Sequence, residues 1–392
     1  IQHDCTDWDF VNMRAQANGM IVINKDGQLT IEEPDFGSSP ELIVRHSEVE
    51  SFQAGIDASK QALNVSYSAW DPKTQKFVAG ESKEPSLNKM GTDTGKKIAE
   101  TAGSQEFSYS FPNQDSIDGI EGLANARLLT QRLALFSGHC RFIGNETVAL
   151  GKLITFDGFG KRFDGDAYIS GFLHEVREGR WFTSVKFGLP PIPYDQQSAY
   201  KLKAKTSSGM PDVRGLHIGK VVKLVDDESG NHGVQVHLST LANDDTALIW
   251  ARLLHPYATN NAGFFFYPEI GDEVLVGFLG DDPRNAVILG SMYSSSQAPP
   301  FSVENDDNSI KGFKTPLELS FKMNDEDKVI TIETPGGQIV TLSDQDKGIT
   351  LQDQNNNQIS MGSEGITIKS PKNITLDATG DAIIKATNVN IS

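Results

Sequence analysis

Only two cysteines occur in 392 residues, Cys5 and Cys140. Two are too few for a disulfide framework, and their apolar and aromatic neighbours point to buried free thiols rather than a redox pair. No apolar run approaches the roughly 20 residues that a helix needs to span a bilayer. The densest cluster, Gly263-Phe264-Phe265-Phe266-Tyr267, is far shorter. It is expected inside a barrel or at a subunit contact. Positive charge is scarce: 35 Lys and Arg stand against 52 Asp and Glu, a net charge of −17. Nothing on that scale neutralises phosphates, so a nucleic-acid partner is disfavoured and the acidity reads as a device for solubility.

Catalytic signatures are missing too. There is no Gly-x-Ser-x-Gly elbow and no phosphate-binding loop. His174-Glu175-Val176-Arg177-Glu178 starts like a zinc-protease motif but lacks the second His. It also lies on a predicted strand, where that spacing does not converge on a metal. Gly158-Phe159-Gly160 reads as a hairpin turn. His232, His237 and His255 fall within one predicted domain without the spacing of a ligand set, and no His follows His255. The pairs Asp226-Asp227, Asp244-Asp245 and Asp281-Asp282 sit in predicted turns and read as solvated. No catalytic, cofactor-binding or metal-binding residue is expected, and the chain is not read as an enzyme. It opens on Ile1-Gln2-His3-Asp4 with no initiator Met and no signal peptide, leading directly into a helix. A first domain shortened at its N-terminus is expected.

What the chain does have is a repeat. Apolar, hydroxyl, apolar recurs as Ile330-Thr331-Ile332, Val340-Thr341-Leu342, Ile349-Thr350-Leu351, Ile359-Ser360-Met361, Ile366-Thr367-Ile368 and Ile374-Thr375-Leu376. Looser copies follow at Ala382-Ile383-Ile384 and Val389-Asn390-Ile391. The spacing of about seven to ten residues predicts short strands with one apolar face. Each strand holds too few apolar residues to close a core alone. The pattern predicts a fibre of several intertwined chains, with hydrogen bonds between chains and the Thr and Ser outward.

The rest predicts two to four domains. Thr6-Asp7-Trp8-Asp9 reads as a helix start and Asn18-Gly19 as its end. A hairpin follows, turning at Lys25-Asp26-Gly27. Strands are predicted at 42–44, 49–52, 62–70 and 76–78, then a long polar loop over 79–104, read as an insertion, a clamp on a neighbouring subunit or a disordered segment. A helix is predicted over 116–136, then strands at 139–142, 147–156, 166–177 and 181–186, with a tight turn at Glu178-Gly179-Arg180. The domain boundaries are a first region over 1–193, a linker over 194–212, a five-stranded barrel over 213–295, a linker over 296–320 and the repeat region over 321–392. The pattern is mainly β, with α+β or barrel-like domains first, then a small closed barrel of OB type and a fibre of short strands.

Two segments carry a family resemblance. Tyr267-Pro268-Glu269-Ile270-Gly271-Asp272-Glu273-Val274-Leu275-Val276-Gly277-Phe278, continuing through Gly280-Asp281-Asp282-Pro283-Arg284-Asn285 to Gly290-Ser291-Met292-Tyr293, resembles a signature of VgrG spike proteins. Its marker positions are Pro268, Gly271, Asp272, Glu273, Val274, Gly280, Asp281, Pro283 and Gly290. Trp250-Ala251-Arg252-Leu253, Leu216-His217-Ile218-Gly219-Lys220-Val221-Val222 and Thr6-Asp7-Trp8-Asp9-Phe10 lie where such proteins have related segments. The stretch 257–266 departs from the family by being Asn-rich.

The resemblance implies that the three regions are an α+β hub of β-barrel domains, an OB-fold barrel and a C-terminal triple-stranded intertwined β-helix. It implies a homotrimeric spike of a contractile injection machine: type VI secretion, an extracellular injection particle, or a phage hub and needle. It also implies an inner tube protein and baseplate at the hub, a PAAR-type cap on Val389, Asn390, Ile391 and Ser392, and transient piercing of a target membrane. Assembly would take place in the bacterial cytoplasm, with delivery outward on firing. A trimeric tailspike or adhesin that binds surface polysaccharide is the alternative, and an OB-type nucleic-acid binder a weaker one.

Overall fold

Thr6 starts the first helix as its side chain dictates. Its hydroxyl accepts the Asp9 amide at 3.2 Å and donates to the Asp9 carboxylate at 2.7 Å, capping α1 (Asp7–Ala17). Gly19 ends it in a left-handed conformation. The computed structural model describes residues 2, 5–71, 74–103, 106–111, 117–190, 192, 194, 211–238, 248–303 and 305–390. It divides into two compact units, Ile1–Met292 and Tyr293–Ser392.

After α1 come β1 (Ile21–Lys25) and β2 (Gln28–Glu32), joined by Asp26 and Gly27, both at positive φ. That is the mirror-image turn which suits the twist of a two-residue hairpin. Next are β3 (Leu42–Arg45), β4 (Val49–Ile56), β5 (Val65–Asp71) and β6 (Lys76–Glu81). The helix α2 (Gly95–Ala102), β7 (Phe107–Phe111) and α3 (Ile117–Leu133) follow. The hub closes with β8 (Phe136–Ile143), β9 (Leu153–Asp157), β10 (Gly165–Arg177) and β11 (Arg180–Phe187).

Six of these strands form one sheet in the order β3-β9-β10-β11-β8-β4. β10 pairs with β9 over its first four residues and with β11 from Ile169 onward, with a bulge between Ile169 and Gly171. The handover bends the sheet into a half-barrel. Phe52, from one edge strand, packs against Phe156 and Phe187 at ring distances of 5.2 and 5.9 Å. Each such ring withdraws ~150–250 Å² from water. The expected hub barrel is therefore open: β3 and β4 remain edges. The other part of the hub is no barrel. Its three-stranded sheet, β6-β5-β7, is covered by α3, with Val65, Tyr67 and Ala69 against Ile120, Ala124 and Leu128. Gly80 permits the approach, since a Cβ there would stand 2.9 Å from the Glu121 backbone nitrogen.

Several boundaries shift from those expected. Ser116 lies outside the described residues. The third helix ends at Leu133, because Phe136 already begins a strand buried in the half-barrel. The strand expected from residue 62 begins at Val65, and the one expected from residue 147 begins at Leu153. The segment 79–104 is the larger correction. It completes β6, bridges Met90 to Gly165 and contains α2, capped by Thr94. Arg132, buried on α3, holds it from below. The guanidinium donates to both Glu84 carboxylate oxygens at 2.7 and 2.9 Å, to Gln61 Oε1 at 3.1 Å and to the Ala62 carbonyl at 3.0 Å. Polar composition hid this order because the apolar anchors Leu87, Met90 and Ala99 are few and scattered, and the main polar tie is to the distant Arg132.

Residues 195–210 of the expected first linker lie outside the described set. β12 (His217–Lys223), β13 (Val234–His237), β14 (Leu248–Leu253), the short pair β15 (Ala258–Thr259) and β16 (Ala262–Gly263), then β17 (Glu273–Phe278) and β18 (Ala286–Ser291) follow. Five of them close a barrel, β12-β13-β14-β18-β17, around Val221, Val234, Val236, Val274, Val276 and Ile288. Each side chain buried to this degree contributes ~1.5–3 kcal/mol.

The second unit is one antiparallel meander: β19 (Ile310–Lys314), β20 (Ser320–Asn324), β21 (Val329–Glu333), β22 (Ile339–Ser343), β23 (Gly348–Gln352), β24 (Gln358–Gly362) and β25 (Gly365–Lys369). Its first strand lies inside the expected linker 296–320. The turns at 325–328 and 344–347 share one design, ending on Lys328 and Lys347 at positive φ. Every described ladder bond in this sheet is within the chain. The turns are long enough for each strand to fold back on its predecessor.

Replacing Glu84 with Ala should leave the Arg132 charge with only Gln61 and the Ala62 carbonyl, at a cost of about 1–2 kcal/mol because Glu84 is partly in solvent. Limited proteolysis should then cleave within 85–103 faster than in the parent chain. An unchanged digestion pattern would show that Arg132 does not hold this segment.

Candidate assembly surfaces

Register decides which residues share a face of the meander. Met323 opposes Ile330, which opposes Leu342; Leu342 opposes Ile349, and Ile349 opposes Met361. Phe321, Ile332, Val340, Leu351, Ile359 and Ile368 form a parallel row. Thr331, Thr341, Thr350, Ser360 and Thr367 line up on the opposite face. The expected split into an apolar and a hydroxyl face is present. The apolar face is open: Ile332, Leu342, Ile349, Leu351, Ile359, Met361, Ile366 and Ile368 are all exposed in the isolated chain. Phe313 and Phe321 extend it with stacked rings 5.6 Å apart. Phe313 fell in the expected linker, where the apolar residues Ile310 and Phe313 are three apart and give no strand alternation.

Residues 370–390 carry no strand, so the triplets at 374–376 and 382–384 do not join the sheet. Ile374, Leu376, Ile383, Ile384 and Val389 are exposed. Of the expected docking residues, Val389 and Asn390 are described and exposed. Ile391 and Ser392 lie outside the described residues.

The marker positions of the barrel turn out to flank β17. Pro268 is buried, and the Asp272 carboxylate accepts the Glu269 amide at 2.9 Å. Gly271, at positive φ, donates to Val221, and the Val221 amide donates to Asp272. Glu273 opposes Lys220, and Val274 is fully buried. At the far end Gly280 and Asp281 are both left-handed, and the Asp281 carbonyl accepts the Val213 amide at 2.8 Å. Pro283 is buried beside Asp282 and Asn285. Asp282, also buried, accepts two bonds from the Arg284 guanidinium at 2.8 and 3.0 Å. Gly290 sits at a bulge opposite Leu275. These residues shape turns and are not brought together around a cavity.

Several expectations about single residues are settled here. Phe264, Phe265 and Phe266 are exposed rather than inside the barrel, Phe265 at 82%. They follow the β15–β16 hairpin, which lies outside the barrel strands. Only Tyr267 packs on the barrel core, its hydroxyl 3.3 Å from the His232 carbonyl. His174 lies on a strand with Nδ1 2.9 Å from the Thr183 hydroxyl. Cys140 is buried and its thiol is pushed up to about 12 by desolvation, while Cys5 is only half-buried. Asp227 is not merely solvated: burial raises its pKa, but hydrogen bonds from Ser229 and Gly233 outweigh that and lower it. Asp244 and Asp245 lie outside the described residues. Among the described residues no group of three His, Cys, Asp or Glu could hold a metal, and no helix is long and apolar enough to cross a membrane.

Comparison with known proteins agrees with this layout. Residues 217–293 match the type VI secretion system/phage-baseplate injector OB domain. Residues 329–390 match the phage baseplate V C-terminal trimerisation domain, and residues 1–178 the Alg8 N-terminal domain. The chain is 30% identical over 117 residues to the type VI secretion system spike protein VgrG1a of Pseudomonas aeruginosa, covering 28% of this chain and 18% of that protein. It is 30% identical over 99 residues to the actin cross-linking toxin VgrG1 of Vibrio cholerae, covering 24% and 9%. The chain thus spans less than a fifth of these relatives. Among solved structures, the E. coli c3393 protein is described as a type VI secretion component similar to T4 tail proteins gp27 and gp5. It aligns at 13% identity and TM-score 0.29, covering 62% of this chain and 56% of that one. A tail protein from Neisseria meningitidis aligns at 14% identity and TM-score 0.33, covering 50% and 58%.

The turn 353–357 gives the needle a titration handle. Asn357, first, and Asn355 hydrogen-bond the Asp353 carboxylate and hold it below the usual range. A depressed folded pKa means stability that is present above the unfolded value and lost as pH falls through the folded one. Thermal unfolding of Asp353→Asn should therefore depend less on pH than the parent below about pH 4. Parallel curves for the two chains would remove this turn from the acid response.

Proposed function

We propose that this chain, a member of the VgrG family of spike proteins, acts as the homotrimeric central spike of a contractile injection machine. The observation that carries the proposal is the open apolar face of the meander. Seven strands satisfy one another's backbone groups, yet the side chains that would make a core face outward. Three copies turned about a common axis would give each face the other two as cover, leaving the Thr and Ser ladder in water. At ~4.8 Å per strand, six spacings make a prism of about 29 Å. Compression or bending of such a prism must break many ladder bonds at once, and that stiffness suits a part driven through an envelope.

In this reading the hub meets the inner tube protein and baseplate, and its free sheet edges β3 and β4 are positioned to pair with neighbours. The narrow end, at Val389, Asn390, Ile391 and Ser392, carries a PAAR-type cap or effectors. The spike is assembled in the cytoplasm within a tail-like particle and delivered outward on firing. The work is mechanical and uses no cofactor.

Ile349→Asp combined with Leu351→Asp should abolish the trimer, since each copy would bring two carboxylates into a dry seam, at several kcal/mol each. Thr350→Asp, on the opposite face, should leave it intact. Native mass measurement separates these outcomes, and a trimer that survives the paired substitution would refute the seam. Deleting 386–392 should abolish cap binding in a pull-down while the trimer persists; undiminished capture of the cap would exclude this end as its docking surface.

A further inference from the structure

The hub holds a cavity of about 270 Å³ between α1, β1, α3 and the half-barrel, walled by Ala15, Ile21, Ile23, Leu129, Leu133 and Tyr168 among others. In a chain that is 22% charged, no described residue at this wall is Asp, Glu, Lys, Arg or His. Most of the polar side chains there are engaged elsewhere. Asn12 donates to the Trp8 carbonyl at 2.7 Å, Thr130 to the Ala126 carbonyl at 3.0 Å and Ser170 to the Lys186 carbonyl at 3.3 Å. Gln16 Oε1 accepts the Tyr194 amide at 2.6 Å, and the Tyr194 hydroxyl donates to Asp9 at 2.9 Å. Tyr168 is the exception. It is 6% exposed, its ring packs on Phe36 at 6.0 Å, and its hydroxyl has no hydrogen-bond partner among the described residues. That hydroxyl reaches the cavity wall at Gly151, which is left-handed. A Cβ there would stand 3.8 Å from Tyr168 Oη, and 2.7 and 3.6 Å from the Cδ1 atoms of Ile23 and Ile21. Burial, and then the Glu32 carboxylate, raises the Tyr168 pKa, so the group stays a neutral phenol with a proton to donate.

We propose that this cavity binds a small neutral molecule, largely apolar, with one oxygen that accepts the Tyr168 hydroxyl. A buried hydroxyl is destabilising while unpaired, and such an acceptor relieves it. A lone water is a poor substitute, because it needs about two to four polar partners and the rest of this wall offers few. An apolar cavity of ~150 Å³ takes up benzene, so this one has room for roughly ten non-hydrogen atoms, the size of a bicyclic phenol. A carboxylate or ammonium group would enter unpaired and is rejected. The occupant ties α1 and β1 to α3 and the half-barrel, because the wall draws on all four, and it stabilises the hub by mass action.

The test uses the full chain with 2-naphthol as probe and 2-naphthoate as its charged counterpart. Calorimetric titration should show one saturable 2-naphthol site per chain and none for 2-naphthoate. Tyr168→Phe, which keeps the ring, should weaken binding by about fivefold or more. Ala15→Leu fills the cavity from α1 with another good helix former, and should abolish binding without lowering the Tm. The proposal is overturned by absence of saturable binding to the parent chain, by comparable binding of 2-naphthoate, or by equal affinity in Tyr168→Phe. Binding that survives in a folded Ala15→Leu chain also overturns it, by moving the probe to an exposed apolar face. If Ala15→Leu does not fold, Tyr168→Phe decides alone. Mass in solution is read on the same samples, so failure of the cavity is kept apart from failure of the trimeric reading.

Discussion

Backbone pairing and side-chain burial are separate requirements, and the C-terminal unit meets only the first by itself. Its ladder is complete from β19 to β25, so the chain can form the sheet without help. Its Ile and Leu row stays in water, because a single sheet has nothing to lay over that face. Every other feature of the unit follows from this. Strands are short because each needs only two or three apolar contacts, and turns are polar because they lie at the edges. The threonines alternate with the apolar row because successive residues of a strand point to opposite faces.

The hub and barrel solve the same problem internally. The half-barrel rolls Phe52, Phe156 and Phe187 into one cluster, and α3 lies across the three-stranded sheet as its missing layer. The five-stranded barrel closes fully, which removes its edges and lets the turns around β17 be set by few residues. Gly280 with Asp281 and the Asp282–Arg284 pair define one end; Gly271 and Asp272 define the other. Here the recurring sequence pattern records backbone geometry, not chemistry.

Periodicity made the repeat strands legible, and capping residues the first helix, with Thr6 at its start and Asn18-Gly19 at its end. It also gave the correct faces of the meander. The segment 79–104 was hidden because Glu84 and Arg132 are distant in sequence, and an ion pair to a buried arginine leaves no periodic trace. For Phe264 to Phe266 composition left a barrel interior and a subunit contact open, and their exposure in the isolated chain removes the first.

The twin turns ending at Lys328 and Lys347 stand 19 positions apart and enclose two strands. Such a module carries its own turn, both faces and an unbroken register. Its duplication or loss would leave every remaining side chain on its original face, whereas a change of one residue within a strand would invert the face beyond it. The length of this sheet is therefore a stepped quantity, adjustable by ~10 Å per module.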